Sequence, residues 1–353
     1  MSEIQLKECV RVAQQPSLEN QNRAAIIGLG GVSSVHINSL DAIGIPITAL
    51  CDINPELRKR DCLFFTDYES MLAHGGFDVL HICLPHYLHA PVAIAALRRG
   101  IHVICEKPMA TTVKDAESMI AASKESGAML EIIFQNRFNP STQGIKAIIN
   151  SGELGRVTGG WIQVTWHRTQ AYYEAARWRG TWTEGGGGVL INQAIHTFDL
   201  MNYIVSDTLG NPTSITGFMA NRALPSIEVE DVVEGRIVYG DVNISYYANS
   251  YHPYDAPVRL EIVCENGRAS LTGDVATITY NDGPTKTINN EENPHELFGK
   301  HYWGYSHIRQ IQVFYDNLSG KAAPRVPGSE GLRVQRIVNG IYDSARLNKP
   351  VEF

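Results

Sequence analysis

The chain has 353 residues, 44% apolar and 19% charged, a balance that suits a globular protein with room for two domains. Its net charge of −7 and pI near 5.9 come with no basic stripe of the kind a nucleic-acid face needs. No run of about 18 apolar residues is present to span a membrane.

Residues 1–23, "MSEIQLKECVRVAQQPSLENQNR", mix acids and bases without an apolar core, so they do not read as a signal peptide. They form an arm, with a helix expected around Leu6–Ala13. The six cysteines (Cys9, Cys51, Cys62, Cys83, Cys105 and Cys264) show neither CxxC nor metal-ligand spacing. Several lie inside apolar runs, where a thiol behaves as a small hydrophobe, and the pattern fits a reducing, cytoplasmic compartment.

From Ala24 apolar strands alternate with amphipathic helices. "AAIIGLG", "IPITALCD", "DVLHICLP" and "IHVICEKP" read as buried strands. "GVSSVHINSLDAI" and "HAPVAIAALRRG" read as helices, and "PELRKRD" is expected to open another. This rhythm predicts an α/β domain over residues 24–138, a doubly wound parallel sheet that ends near "GAMLEIIFQNRFNP". Beyond it, residues 139–353 read as an α+β domain. A helix at "STQGIKAIINSGELG" precedes the long strand "RVTGGWIQVTWHR". "GGGGVLINQAIHTFDL" follows as helix, and then come "PTSITGFMA", "VVEGRIVYGDVNISYYANS", "VRLEIVCENGRASLTG" and "VATITYND". Short turns such as Glu265-Asn266-Gly267 imply a large, mostly antiparallel sheet, and two helical patterns close the chain.

Three stretches carry chemistry. In "IIGLGGVSSVH", Gly28, Gly30 and Ser33 form a G-x-G-x-x-S pattern between a strand and a helix. Gly28 permits the tight turn, and Gly30, with Gly31 and Val32, lets backbone and helix N-terminus meet a pyrophosphate. Asp52 stands 24 residues after Gly28, close to the roughly 20 expected of a ribose-binding acid. Its charge would repel a 2′-phosphate, which favours NAD over NADP. Arg58 and Arg60 are expected to turn away from the ribose. The second stretch, "ICEKPMA", puts Glu106 and Lys107 outside a strand's carboxyl end, with Pro108 ending the strand. A lysine there, beside a positive ring and away from water, has a lowered pKa and can trade protons. In the third, Asn192 and His196 follow four glycines, Gly185–Gly188, and lie four apart on a helix, hence on one face.

These motifs, with "GELG" and "FDL", occur in an order and spacing that resembles the glucose–fructose oxidoreductase / inositol dehydrogenase (Gfo/Idh/MocA) family from Ala24 onward. The resemblance implies an NAD(P)-dependent dehydrogenase acting on a CH–OH group of a sugar, glycoside or cyclitol. It also implies a homodimer or homotetramer packed through the second sheet. The family's lysine falls on Lys107 and its D-x-x-x-H pair on Asn192 and His196. His196 would be the general base and Lys107 would polarise the hydroxyl, while Asn192, an amide where relatives carry an acid, cannot stabilise an imidazolium by charge. Asp199 is near enough to pair His196, or it fixes the helix against the first domain.

Pro85, His86, His89 and Asn136 are further cofactor candidates at strand ends and at the domain junction, where Arg137 is either a ligand contact or an ion-pair partner. His86 and His89 lack a third ligand for a metal. The aromatic run before the glycines holds Trp166, Tyr172 and Trp178 with Arg168. Within it His167, Tyr173, Arg179 and Trp182 are the expected substrate contacts. Two other functions suit the same residues: a redox-neutral NAD-dependent glycosidase that oxidises its sugar transiently, and a non-catalytic NAD-binding sensor.

Overall fold

In a computed structural model the described residues are 22–289, 306–321 and 326–353, so the helix expected around Leu6–Ala13 lies outside them. The first strand, β1 (Ala24–Ile27), has four apolar side chains and is buried throughout, as a strand covered on both faces must be. The parallel strands β2 (Ile47–Cys51), β3 (Leu63–Phe65), β4 (Val79–Ile82), β5 (His102–Cys105) and β6 (Leu130–Ile132) complete a sheet in the order β3-β2-β1-β4-β5-β6. The order reverses between β1 and β4, which opens a crevice at their carboxyl ends.

Helices α1 (Ser33–Ala42), α2 (Tyr68–His74), α3 (His86–Leu97) and α4 (Val113–Ser126) connect these strands. Side-chain caps set two of the starts: Asp67 accepts from Ser70 N at 2.7 Å, and Thr112 accepts from Asp115 N at 3.1 Å. "PELRKRD" does not open a helix: Pro55–Leu57 is one 3₁₀ turn, and the chain continues into β3 before α2 begins. The stretch has one large apolar residue, Leu57, and it is exposed, so a helix here would have no stripe to bury.

The second layer begins with α5 (Pro140–Ser151), β7 (Val157–Thr165), the short α6 (Gln170–Glu174) and α7 (Ile195–Leu209). Strands β8 (Ser214–Ala220), β9 (Val232–Tyr239), β10 (Val242–Asn249), β11 (Arg259–Cys264), β12 (Gly267–Thr272), β13 (Val275–Tyr280), β14 (Thr285–Ile288) and β15 (Val351–Glu352) follow. Among the described residues they form a nine-stranded sheet, β14-β13-β12-β11-β7-β10-β9-β8-β15, antiparallel except for β10 against β7. One face packs under α5, α7 and α9 (Gly328–Leu347). The other presents Phe218, Val263 and Val275 to solvent. No helix among the described residues is long and apolar enough to cross a membrane.

The last helices return to the first domain. α8 (Ser306–Leu318) lies on α1 and adds Ile311, Phe314 and Tyr315 to the core around Ala24, Ile26 and Leu50, while α9 packs on α4. Between the layers, the 3₁₀ turn Gln135–Phe138 buries Arg137, which is 2% exposed. Its Nε donates to both oxygens of Asp199 on α7 at 3.1 and 3.0 Å, and Nη2 donates to Asp199 Oδ1 at 2.6 Å. Nη1 reaches Glu330 Oε2 on α9 at 3.1 Å. Of the two roles open to Arg137 and to Asp199, the structure shows the ion pair. Removing one member of a buried pair strands the other charge, so Arg137→Met is expected to cost about 3–5 kcal/mol of folding stability. Urea denaturation measures it, and an unchanged midpoint would deny the pair this role.

Candidate active site

The crevice is built first by backbone. Gly28 has φ +83°, and a Cβ there would stand 2.5 Å from the carbonyl oxygen of Cys83, so no other residue fits this turn. Gly30 differs: a Cβ would meet nothing within 4 Å, and the same holds at Gly31, so both face open space at the start of α1. Asp52 closes the rim. Its Oδ2 accepts from Leu29 N at 2.7 Å and its Oδ1 from Asn54 N at 2.9 Å, which aims the carboxylate along the glycine turn. Val32 is half-buried at the cap of α1, and Ser33 donates to Gly30 O at 2.6 Å. Exposed backbone, a helix N-terminus and a pinned acid fit a dinucleotide.

One residue of this crevice was not among the sequence candidates. Lys59 Nζ donates to Ser33 Oγ at 2.9 Å and to Ser34 Oγ at 3.0 Å, which places an ammonium over the first turn of α1. Burial lowers its pKa. Its neighbours turn away as expected: Arg58 binds Asp61 and the carbonyl of Cys62, and Arg60 pairs with Asp41. The sequence signal was masked because "PELRKRD" reads as helix, and only the single 3₁₀ turn folds Lys59 back over the loop.

The second wall follows β5. Glu106 is 5% exposed, and Lys107, half-buried, begins a turn whose Lys107–Pro108 bond is cis. Lys107 Nζ donates to the backbone carbonyl of Asn192 at 2.9 Å, which links the two domains across the cleft. Burial lowers the pKa of Lys107; Arg168 and Arg179 push the same way, and Glu106 opposes them. Opposite, Leu190–Ala194 form a π-helical turn before α7, a distortion frequent at functional sites. Asn192 and His196 leave this turn on the cleft side. Burial, and then the charge of Lys107, push His196 down to about 3, so its imidazole is neutral at any working pH. Phe134 meets its ring edge-on at 6.0 Å, and Asp199, three residues on, is taken by Arg137.

The remaining candidates separate into those that face the cleft and those that hold its walls. Pro85 caps α3 and Asn136 sits half-buried in the junction turn. His89 has both ring nitrogens taken by backbone carbonyls, whereas His86 has one, Nδ1, so taken. His86 Nδ1 lies 2.7 Å from Gly185 O and its ring packs on Trp178 at 4.4 Å. His89 has Nδ1 2.7 Å from Pro108 O and Nε2 2.8 Å from Leu84 O. Both are buried, and they tie the start of α3 to the glycines and to the Lys107 turn.

The four glycines make room for protein, not for a ligand. A Cβ at Gly187 would stand 2.0 Å from Tyr342 Oη, and one at Gly188 would stand 1.9 Å from Glu230 O. Glu230, absent from the sequence candidates, anchors the loop: it accepts from Gly188 N at 2.9 Å, Leu190 N at 3.0 Å and Tyr342 Oη at 2.9 Å. Burial still pushes its carboxyl up to about 7.

Of the aromatic run, Tyr172 rather than Tyr173 reaches the site. Its hydroxyl accepts from Asn192 Nδ2 and Gln193 Nε2, both at 3.2 Å. Tyr173 sits next to it on a one-turn helix, about 100° around the axis, and is buried with Leu224, Ile227 and Val229. Trp182 donates from Nε1 to Glu228 O at 2.9 Å and packs on Tyr342 at 5.1 Å, in the wall. His167 is exposed, with Nδ1 2.8 Å from His252 O. Arg179 faces the site: its guanidinium stacks 4.4 Å over Tyr172, and its Nε is buried with no protein partner. Arg168 stacks on Tyr172 at 5.4 Å but pairs with Asp255 at 2.8 Å.

Comparison with known proteins agrees with this fold. Residues 22–134 match the Gfo/Idh/MocA oxidoreductase family with an NAD-binding Rossmann fold, and residues 142–270 match the Gfo/Idh/MocA C-terminal domain. The D-glucoside 3-dehydrogenase of Escherichia coli (strain K12) is 26% identical over 353 residues, covering 94% of this chain and 97% of that protein. The WlbA dehydrogenase from Bordetella pertussis, solved with NADH and UDP-GlcNAcA, is 29% identical with a TM-score of 0.81 over 94% of this chain and 99% of its own. A levoglucosan dehydrogenase solved with NADH and levoglucosan shares the fold at 21% identity, with a TM-score of 0.83 over 94% of this chain and 99% of its own. With both halves of the fold matched, this chain belongs to the Gfo/Idh/MocA family of oxidoreductases.

Proposed function

We propose that this oxidoreductase oxidises, or reversibly reduces, a secondary hydroxyl of a sugar, glycoside or cyclitol with NAD. The observation that carries the reading is the meeting of Lys107, from the end of β5, with Asn192 and His196 at the head of α7 across the interdomain cleft. The glucoside and UDP-sugar relatives support the substrate class.

Gly28, Gly30, Gly31 and Val32 hold the dinucleotide's phosphates at the head of α1, and Lys59 adds a cation there. Asp52 takes the ribose hydroxyls and disfavours a 2′-phosphate, so NAD is preferred to NADP. When bound, the nicotinamide supplies the hydride acceptor. His196, neutral and half-buried, takes the hydroxyl proton, and Lys107 hydrogen-bonds the same oxygen. Burial and Lys107 disfavour an imidazolium there, so the proton passes on toward Lys107 when its side chain is the amine, a form that its lowered pKa favours. Asn192, fixed by Tyr172, orients the substrate, and Arg179 offers its unpaired Nε to a sugar oxygen. Two or more copies assemble through the open sheet face that shows Phe218, Val263 and Val275.

With a panel of free sugars, glycosides, uronates and cyclitols read at the NADH absorbance, the wild type is expected to reduce NAD with at least one class. Lys107→Met and His196→Asn should each lose about 10²–10⁴-fold in kcat. Because Lys107 must be an amine, kcat/KM for oxidation rises with pH through its lowered pKa. That limb disappears in Lys107→Met and stays in place in His196→Asn, while full activity in either variant refutes the assignment. Glycoside cleavage without net NADH would instead select the redox-neutral glycosidase.

The glycines give a sharper test of the cofactor crevice. Gly28→Ala should fail to fold stably, because its Cβ meets backbone. Gly30→Ala should keep the wild-type melting temperature and lose NAD affinity in a fluorescence titration. Unchanged affinity in Gly30→Ala would place the dinucleotide elsewhere.

A further inference from the structure

Behind Lys107 lies a chain of buried polar side chains that the proposed reaction does not use. Glu106 Oε1 stands 3.1 Å from His36 Nε2 and 3.7 Å from His307 Nε2. His36 Nδ1 stands 2.9 Å from His81 Nδ1, and His81 Nε2 stands 3.0 Å from Tyr315 Oη. His36 and His81 are fully buried, and Tyr315 is 4% exposed. The residues come from four elements: Glu106 follows β5, His36 is on α1, His81 on β4, and His307 and Tyr315 on α8.

With neutral rings this chain has one direction. A carboxylate only accepts, so His36 turns Nε2–H to Glu106 and keeps a lone pair on Nδ1. His81 must then donate from Nδ1, which leaves its Nε2 as acceptor for the hydroxyl of Tyr315. Burial and His36 hold the His81 ring well below the usual histidine pKa, in keeping with a neutral member. A doubly protonated His36 would reverse the sequence, with His81 donating to Tyr315. At the other end, Glu106 Oε2 accepts from the backbone N–H of Lys107 at 3.2 Å. One oxygen is therefore gripped by the chain while the other holds the residue that faces the substrate.

We propose that Tyr315, His81 and His36 form a one-way hydrogen-bond chain that fixes Glu106 against the backbone of Lys107, which makes His36 and His81 positioning residues for the reaction. The proposal rests on the reading of Lys107 as the reacting lysine. The titratable groups that face Glu106 from the packed elements are His36 and His307, Lys107 itself, His86 and His89 on α3, and His196 on α7, with the thiols of Cys83 and Cys105. Glu106 raises the pKa of Lys107, so freeing or neutralising it lets that pKa fall.

Two measurements on the protein itself, without substrate, test this. In ¹⁵N-histidine-labelled protein at pH 8, long-range ¹⁵N–¹H spectra should show the Nε2–H tautomer at His36 and the Nδ1–H tautomer at His81, assigned with His36→Gln and His81→Asn. The opposite tautomer at His81 overturns the chain. In protein labelled with ¹³C at lysine Cε, with Lys107 assigned by Lys107→Arg, His36→Leu should lower the Lys107 titration by on the order of one unit, at the low end of the roughly 1–3 units a close opposite charge contributes. His36→Gln, whose amide can occupy the Nε2 position, should restore it. Tyr315→Phe, a milder change, should keep the fold and the Nδ1–H tautomer at His81, because the lone pair on His36 Nδ1 still demands a donor; a switch to the Nε2–H tautomer there overturns the one-way chain. A Lys107 titration unmoved in a folded His36→Leu overturns the positioning role. Correct tautomers and a shifted titration in a protein that oxidises no sugar would sustain the chain and refute the dehydrogenase reading.

Discussion

The cleft depends on one buried ion pair. Among the described residues Arg137 is the largest fully buried side chain, and its guanidinium binds Asp199 on α7 and Glu330 on α9. An unpaired guanidinium could not be buried there at tolerable cost, so the turn after β6, the head of α7 and the start of α9 must come together as a unit. Asp199 lies three residues beyond His196. Whatever locks Asp199 therefore also sets where His196 and Asn192 stand relative to Lys107, and the 2.9 Å bond from Lys107 Nζ to Asn192 O follows from that docking.

A second constraint works through carboxylates that are themselves held. Glu230 grips the backbone after the glycines, Glu106 grips the backbone of Lys107, and Asp52 grips Leu29 beside the glycine turn. In each case an acid accepts from a main-chain N–H, and so stiffens a loop that would otherwise leave its donors unsatisfied. The side chains proposed to react then stand on held supports although they lie at strand ends and around a π-helical turn. The electrostatics follow from the same enclosure. His196 is kept neutral by burial and by the charge of Lys107, and burial and two arginines lower the pKa of Lys107 in turn.

Much of this was legible in the residues. The alternation from Ala24, the Gly28 turn, Asp52, Lys107 and the Asn192–His196 pair follow from local rules: strand and helix period, steric need at one glycine, and spacing on a helix. Where the reading failed, a neighbour in space decided. Tyr173 and Tyr172 look alike in sequence, and only the orientation of α6 sends one to the apolar cluster and the other to Asn192. His89 sits where a cofactor contact is expected, yet backbone carbonyls take both of its ring nitrogens. Gly30 and Gly187 are chemically identical; one faces open crevice and the other faces Tyr342.

The sequence by itself determined the strand–turn–helix that cradles a dinucleotide, the acid at its rim and the identity of the lysine and histidine, because these depend on contacts within a few residues or on backbone geometry. Tertiary structure alone decided that Lys59 covers the first turn of α1, that Glu230 carries the glycine loop, and that His36, His81 and Tyr315 line up behind Glu106. Those arrangements join residues up to 234 positions apart, His81 to Tyr315, and a hydrogen bond across that separation leaves no period, spacing or composition in the chain from which it could be read.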